Sequence, residues 1–355
     1  MLALPLLLLS ATNDDGFDEW ARAHGRRYEA EERAVRHRNF VTYRAAVRQA
    51  ALANPSATFG LDEYADWSKE ELAGLRGGGV DTSLAAKQPA FDPSLGEPKP
   101  IDWVALGAVN KPVSQGRCGT CAQFSATADI EAQWFLAGHG LIKLSEQEMI
   151  DCSSYTGPVP PPPLAPPSLP TPARIRQPSH SCRTSQYGMG WVASVQKGLA
   201  TNKSYPLANH SDPTLAGCRS PCNTSEASHS LAHIDGATCL PEDIHDNETQ
   251  MMAWIAKGPL SVSIAAGKLN GYKGGVITNC NDTQVDHAVL LVGYGVDESS
   301  GIAYWKLRNS WGPAFGEGGY VRIQHGVKCL GLRGACQAYI GSPPTATSDL
   351  VEEAA

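Results

Sequence analysis

The stretch that decides the fold is Gln115-Gly-Arg-Cys-Gly-Thr-Cys-Ala-Gln-Phe-Ser125. From Cys121 to Leu136 apolar residues recur every three or four positions, and Gly138 and Gly140 then end the pattern, which predicts a helix that begins at Cys121. A cysteine at a helix N-terminus lies at the positive end of the helix dipole, where the thiolate is favoured over the thiol. Because the thiolate is the nucleophilic form, the stretch predicts a reactive cysteine.

Two later stretches supply the groups that such a thiol needs. His287 precedes the strand-like run Ala288–Val292, and Asn309 follows the strand-like run Ala303–Leu307. Histidine suits the role of base and acid because its pKa lies near the working pH, and its second ring nitrogen needs an orienting partner. Adjacent antiparallel strands would bring His287 and Asn309 together. With a further run at Pro259–Ile264, helices followed by strands indicate an α+β architecture with a site between two lobes.

These stretches together resemble the papain and cathepsin L family of cysteine proteases. The family's Gln-Gly-X-Cys-Gly-Ser-Cys block (with Thr120 for Ser), its Asp-His-Ala-Val strand and its Asn-Ser-Trp-Gly turn occur here in the same order. The resemblance implies a papain-like two-lobed fold, with a helical left lobe and a β-barrel-like right lobe. It also implies a monomer that hydrolyses peptide or protein substrates through an acyl-thioester, without a metal or an organic cofactor.

The same match assigns roles to individual residues. It implies that Cys121 is the nucleophile, His287 its base, and Asn309 the residue that orients the imidazole. Gln115 matches the oxyanion-hole side chain, which acts with the Cys121 backbone N–H. Trp311 matches the residue that shields the His–Asn hydrogen bond from water.

The segment before this domain resembles the family's inhibitory propeptide. Residues Gly16–Leu75 read as helix, with many Arg and Glu among apolar residues. Gly60–Asp66 resembles the family's Gly-X-Asn-X-Phe-X-Asp motif. The resemblance implies that this segment lies backwards along the cleft until acid pH and cleavage near residues 90–98 release it. The residues that follow the helical propeptide signature are Glu32, Arg36, Phe40 and Val47.

The chain therefore divides into segments of different character. A helical inhibitory propeptide covers residues 12–76, and a linker with the activation cleavage covers 77–97. The peptidase domain covers 98–341 and carries a proline-rich insertion at 157–180, which is expected to be extended and solvated. The insertion is either an inconsequential surface loop or an element that narrows the substrate subsites. Residues 1–11 are the expected signal peptide, and residues 342–355 are the expected flexible tail.

Several features indicate the secretory pathway, with a lysosomal, vacuolar or extracellular destination. Residues 1–11 form a short apolar run that ends in small residues, although a buried first helix is an alternative. No apolar run is long enough to span a bilayer. The net charge of −7 gives no indication of a nucleic-acid partner. Glycosylation signals of the Asn-X-Ser/Thr type begin at Asn202, Asn209, Asn223, Asn247 and Asn281.

Ten cysteines, all between Cys118 and Cys336, predict disulfides formed in an oxidising compartment. The family resemblance implies the bridges Cys118–Cys182, Cys152–Cys218 and Cys280–Cys329. The same match leaves Cys222, Cys239 and Cys336 over. An odd remainder means a free thiol or an unusual pairing, and the sequence leaves this open.

The chain departs from the family near the substrate subsites. Ala122 stands where the family usually has Trp, which removes a large packing group beside the nucleophile. Arg183-Thr-Ser185 stands where the family usually has Asn-Gly-Gly, whose backbone pairs with substrate. By resemblance, Ser263, Asp286 and Ala288 line the S2 pocket, and Trp311 also contacts substrate.

Two other function classes compete with the protease interpretation. Cys118-Gly-Thr-Cys121 also fits a thioredoxin-like redox pair or half of a zinc site, but it lacks a βαβ context and a second ligand pair. The departures at Ala122 and Arg183 favour a second alternative, a catalytically weak homologue that acts as a binding or decoy protein. Retention of Gln, Cys, His and Asn together favours an active endopeptidase.

Overall fold

The computed structural model describes residues 15–78, 86–87, 99–152, 198–208, 231–240, 247–282 and 284–340. Its helices are α1 (Phe17–Ala23), α2 (Ala30–Ala53), α3 (Lys69–Gly74), α4 (Cys121–Leu136), α5 (Glu146–Cys152) and α6 (Glu248–Ile255). Its strands are β1 (Ala57–Phe59), β2 (Ala86–Lys87), β3 (Ile101–Asp102), β4 (Gly236–Cys239), β5 (Leu260–Ile264), β6 (Tyr272–Ile277), β7 (His287–Val296), β8 (Ala303–Arg308), β9 (Tyr320–Gln324) and β10 (Arg333–Tyr339). The α+β prediction is confirmed.

The described strands form one sheet in the order β1-β6-β9-β8-β7-β5-β10-β4-β2, with β3 paired to β7 off this path. Strand β7 lies between β5 and β8 and is antiparallel to both. Its first eight residues are buried, which explains why it reads as a continuous apolar run. Because β7 begins at His287 and β8 ends at Arg308, the antiparallel pairing sets the residues at these two ends side by side.

Helix α4 has the bounds that the sequence predicted, Cys121–Leu136. One side of it packs on the sheet, where Ser125 Oγ donates a hydrogen bond of 2.8 Å to the Val289 carbonyl of β7. On its other side, Ile130 packs in a second core with Leu144 and Met149. The helix is therefore held between two apolar clusters, which fixes the position of its N-terminal residue.

Helix α4 also carries a buried carboxyl group, Asp129, which is 0% exposed. Its Oδ2 accepts a hydrogen bond of 2.8 Å from the Ala338 N–H of β10, and its Oδ1 lies 3.5 Å from Gln133 Nε2. Burial raises the pKa of Asp129, and the hydrogen bonds from Ala338 and Gln133 lower it. The effect of burial is larger, so the pKa is about 8. This carboxyl group is thus kept protonated at acid pH.

The N-terminal segment is helical only in part. The sequence predicted helix throughout Gly16–Leu75, but the structure has three separate helices there, α1 to α3. Helix α2 ends at Asn54-Pro55 because the residue before a proline disfavours the helical conformation, and the following residues form β1. Ser68 then caps α3 with a capping box. Val35 of α2 is 45% exposed, and the buried side chains that join α1 to α2 are Phe17, Trp20, Phe40, Tyr43 and Val47. None of the described helices is long and apolar enough to cross a membrane.

Candidate active site

Cys121 is the first residue of α4 and its side chain is 0% exposed. It is the one free cysteine among the described residues. Two backbone N–H groups donate to its sulfur: Ala288 N and Gly77 N each lie 3.4 Å from Sγ. The thiol therefore lies at a helix N-terminus, with backbone donors around it.

The surroundings of this sulfur act on its pKa in opposite directions. Burial raises the pKa of the Cys121 thiol because it penalises the charged form. The positive charge of His287 and the N–H groups of Ala288 and Gly77 lower it. The net pKa lies below the ordinary value, so the site favours the thiolate.

His287 and Asn309 meet across the β7–β8 pair. His287 Nε2 lies 2.8 Å from Asn309 Oδ1. The same Oδ1 accepts a hydrogen bond of 2.8 Å from the Ser310 N–H, so this atom is an acceptor and Nε2 carries a proton. The Trp311 ring packs against the imidazole at a tilt of 36°, with the two ring centroids 5.1 Å apart. Both side chains are buried, which keeps their hydrogen bond out of water.

Gln115 lies beside the nucleophile and is held from both ends. Its backbone N–H donates to the Ser310 carbonyl at 2.8 Å, and its Oε1 accepts a hydrogen bond from Ser310 Oγ. Its Nε2 donates to two peptide carbonyls, that of Cys118 close by in the sequence and, at 2.9 Å, that of Leu75 in the N-terminal segment.

The N-terminal segment crosses the nucleophile at Gly77 and Gly78. Cys121 Sγ lies 3.5 Å from the Gly78 carbonyl oxygen, and the Gly78 N–H donates to the Asp286 carbonyl at 2.9 Å. Gly78 has a φ of +106°, in the region that favours glycine. The absence of side chains at these positions lets the backbone approach the sulfur, and the segment closes the site.

The same segment is also anchored away from the nucleophile, on the part of the chain that follows residue 98. Strand β1 pairs with β6 of that part. Asn54 Oδ1 accepts hydrogen bonds from the Thr278 and Asn279 N–H groups, at 3.0 and 2.7 Å. The Tyr64 ring meets Trp311 edge-on at 6.3 Å. Several separate contacts therefore hold residues 75–78 over Cys121.

The residues expected around the S2 pocket have different surroundings. Asp286 is partly exposed and its Oδ2 lies 2.9 Å from Arg76 Nη1. Ala288 is buried against Cys121 and Ala122, and Ser263 is buried at its pairing position opposite Ala288. Arg183-Thr-Ser185 and the insertion at 157–180 lie outside the described residues, as do the segments at 1–11 and 342–355.

Disulfides join Cys280 to Cys329 and Cys239 to Cys336. The second bridge pairs two cysteines that the sequence left unassigned, and they face each other across antiparallel β4 and β10. The pairing of β4 with β10 brings the two cysteines together, and their spacing in the sequence does not predict this bridge. Cys118 and Cys152 are disulfide-bonded as well. Their expected partners, Cys182 and Cys218, lie outside the described residues, as does Cys222.

The asparagines of three glycosylation signals are among the described residues. Asn281 is exposed, and so is Asn247, whose Oδ1 caps α6. Asn202 is half-buried and its Oδ1 accepts a hydrogen bond of 3.2 Å from the Leu207 N–H. A cap that uses Oδ1 leaves the Asn247 amide nitrogen available for a glycan. Asn209 and Asn223 lie outside the described residues.

Comparison with known families gives two matches along the chain. Residues 97–340 match the papain family cysteine proteases. Residues 17–72 match the cathepsin propeptide inhibitor domain. The first match covers more than half of the chain, and the second covers most of the N-terminal segment and ends just before residues 75–78, which lie over Cys121.

Similar proteins match most of the chain. Cysteine proteinase B of Leishmania mexicana is 33% identical over 348 residues, which cover 94% of this chain and 71% of that protein. The structure of recombinant stem bromelain precursor matches with a TM-score of 0.73 and 26% identity, over 92% of this chain and 98% of that one. Bromelain from Ananas comosus in complex with the E64 inhibitor matches with a TM-score of 0.54 and 27% identity, over 69% and 100%.

Proposed function

The chain belongs to the papain family of cysteine proteases, and from this premise we propose that it is a papain-type endopeptidase in which Cys121 attacks peptide bonds and His287 moves the proton. It is made as a zymogen: residues 12–76 are the inhibitory propeptide, residues 77–97 the linker that is cut, and residues 98–341 the catalytic domain. It works as a monomer on peptide or protein substrates. Disulfide-bonded cathepsin-type proteases are typical of the secretory pathway, and we propose a lysosomal, vacuolar or extracellular destination.

One observation carries this proposal. A peptide carbonyl of the chain's own N-terminal segment accepts a hydrogen bond from Gln115 Nε2, while the next residues lie against Cys121 Sγ. The cleft therefore already binds a peptide backbone beside the nucleophile and beside a donor for its carbonyl oxygen. A substrate that binds with its scissile carbonyl carbon toward Sγ would meet the same groups.

The reaction follows from these positions. The Cys121 thiolate attacks the scissile carbonyl carbon, and the carbonyl electron pair moves to the oxygen, where Gln115 Nε2 and the Cys121 N–H stabilise the oxyanion. The imidazolium of His287 gives its proton to the leaving amine as the C–N bond breaks, which leaves an acyl-thioester. His287 then takes a proton from water, whose oxygen attacks the thioester; the C–S bond breaks and releases the acid and the Cys121 thiolate, which restores the thiolate and imidazolium of the first step. Asn309 keeps the imidazole oriented through both steps.

The binding or decoy alternative rests on Ala122 and on Arg183-Thr-Ser185. Ala122 is buried on α4 beside Cys121 and makes none of the polar contacts described for the nucleophile. The downward shift of the thiol pKa and the His287–Asn309 hydrogen bond have no use in a protein that only binds peptides. We therefore propose that Ala122 alters the shape of the cleft and leaves the chemistry in place.

Labelling with an epoxide thiol reagent of the E64 type tests the proposal. We expect the acid-processed enzyme to react at one cysteine, Cys121, at mildly acidic pH, because its thiolate is favoured there. The unprocessed chain should react far more slowly because residues 75–78 cover the sulfur. Mass spectrometry identifies the labelled peptide. The control variant Cys121→Ser should not be labelled. A processed enzyme that is not labelled would show that the proposed function is wrong.

Gln115→Ala should lower kcat/KM by about 10²- to 10³-fold, mainly through kcat, because it removes one donor to the oxyanion. Steady-state kinetics on a fluorogenic peptide measure this. Gln115→Glu is the matched variant, since it keeps the size of the side chain but presents a carboxylate to the oxyanion. It should be at least as impaired. If Gln115→Glu keeps most of the activity, Gln115 has only a structural role.

A further inference from the structure

Ser125 of α4 connects the helix that carries the nucleophile to the strand that carries the base. It lies four residues after Cys121, and its Oγ donates a hydrogen bond of 2.8 Å to the Val289 carbonyl. Val289 lies two residues after His287 in β7. Residues four apart lie on the same face of a helix, so the face of α4 that bears the thiol is also the face bound to β7.

The hydroxyl of Ser125 makes this contact in place of the usual ones. A serine inside a helix commonly turns its hydroxyl to water or to the carbonyl four residues earlier, which here is that of Cys121. Ser125 is only 4% exposed, and its hydroxyl donates across to the strand. The distance of 2.8 Å is the preferred one for a hydrogen bond between a hydroxyl and an oxygen. The contact is therefore buried and directional.

The apolar contacts at this junction fix its geometry less well. Cys121, Ala122 and Ala288 form a small buried cluster between the start of α4 and the start of β7. Their short side chains let the helix and the strand approach, but they interdigitate little and so oppose sliding only weakly. Ala122 stands where the family usually has Trp, so this chain lacks a large packing group here. A directional hydrogen bond has more to contribute in such a place.

The sheet itself binds the start of β7 less completely than the middle of the strand. The pairing of β7 with β8 begins at Leu290. Among the described strands, residues 287–289 therefore pair with β5 alone. His287 is the first of these residues, so the base lies on a stretch of backbone that has one strand neighbour. The bond from Ser125 adds a second attachment to this stretch.

We propose that Ser125 is a positioning residue, which sets the separation of the Cys121 sulfur from the His287 imidazole by binding the start of α4 to the start of β7. This inference rests on the proposed function and adds a residue to it. Ser125 acts through the two elements that bear the reacting side chains. A thiolate and an imidazolium react well only when both are held in the productive geometry, so a looser junction slows the chemistry.

The variant Ser125→Ala tests this in the processed enzyme. We expect kcat on a fluorogenic peptide amide to fall about tenfold and KM to change by less than about twofold, because the reacting groups lose alignment while the substrate contacts remain. The pH profile supplies a readout that a merely structural role would not move. The charge of His287 lowers the pKa of the Cys121 thiol, and this effect weakens with distance. The acid limb of kcat/KM should therefore move to higher pH, by about half a pH unit.

Ser261→Ala is the matched control. Ser261 lies in β5, the strand that pairs with the start of β7, and it is 2% exposed. Its Oγ is buried and has no hydrogen-bond partner among the described residues. The control therefore removes the same atom from a similarly buried serine without removing a hydrogen bond. It should keep both kcat and the acid limb of the wild-type enzyme.

The outcomes separate positioning from stability and from the proposed function. Each kcat is calculated per active site titrated to completion with an E64-type reagent, so a loss of folded protein cancels. If Ser125→Ala has the kcat of Ser261→Ala, the inference is wrong. It is also wrong if kcat falls while the acid limb stays in place, because the imidazole would then not have moved relative to the sulfur. Failure of the wild-type enzyme to cleave any peptide would instead refute the proposed function.

Discussion

Replacing Cys121 with Ala is expected to abolish peptide hydrolysis, with a loss in kcat of at least about 10⁴-fold. The attacking sulfur is gone, and neither the Gln115 donor nor the imidazole can form a thioester without it. The folded chain should keep most of its stability, because the change removes a single atom at a cleft that the N-terminal segment still covers. Activity on a fluorogenic peptide and thermal unfolding of the same preparation measure the two effects.

A second readout uses the chain as its own substrate. On acidification, full-length Cys121→Ala should remain at full length on a gel, while the wild-type chain is processed. Thr120→Ser is the matched control, since it changes the neighbouring buried residue conservatively and leaves the thiol in place. It should be processed and active. Turnover by purified Cys121→Ala would show that the nucleophile lies elsewhere.

Asp129→Asn is expected to stabilise the protein at neutral and alkaline pH and to change little near pH 4. The folded-state pKa of Asp129, about 8, lies above the ordinary value of 3.8. A group with a raised folded-state pKa contributes its full stability below the unfolded-state pKa. It loses this contribution as the pH rises from about 4 through about 8. A pKa difference of one between the folded and unfolded states corresponds to about 1.36 kcal/mol, so the wild-type chain should lose on the order of 5 kcal/mol across this range.

Denaturant unfolding at several pH values measures this effect. The Cys121→Ala background is used for both chains, so that neither digests itself at acid pH. The difference in unfolding free energy between Asp129→Asn and its parent should grow with pH. Glu298→Gln, which removes an exposed carboxylate, should leave the pH slope of the parent unchanged. Equal slopes for Asp129→Asn and its parent would show that Asp129 does not titrate in this range.

The sequence predicts those parts of the molecule that local patterns encode. The bounds of α4 follow from its apolar spacing and its terminal glycines, and β7 follows from its apolar run. The approach of His287 to Asn309 follows from two neighbouring strands that pair in antiparallel fashion. In each case the residues that decide the structure lie close together in the sequence, so few alternative arrangements compete.

Other features depend on contacts between distant parts of the chain. The Cys239–Cys336 bridge requires β4 to pair with β10, across a separation of 97 residues. The Arg76–Asp286 ion pair requires the N-terminal segment to cross the cleft in one register, which β1 fixes through its pairing with β6. The pKa of Asp129 is raised because the side chain is buried against β10. The residues next to Asp129 in the sequence indicate only that it lies in a helix. No local pattern carries this information.

The contact of Gly77 and Gly78 with Cys121 has a kinetic consequence, because inhibitor and enzyme are one covalent chain. The tether holds the inhibitory segment at a high effective concentration, so dilution of the intact zymogen cannot free the thiol. In the proposed activation, a single cut near residues 90–98 would turn that segment into a separate molecule, whose occupancy of the cleft then depends on protein concentration. Release into a large volume would therefore complete an activation that the cut had only begun.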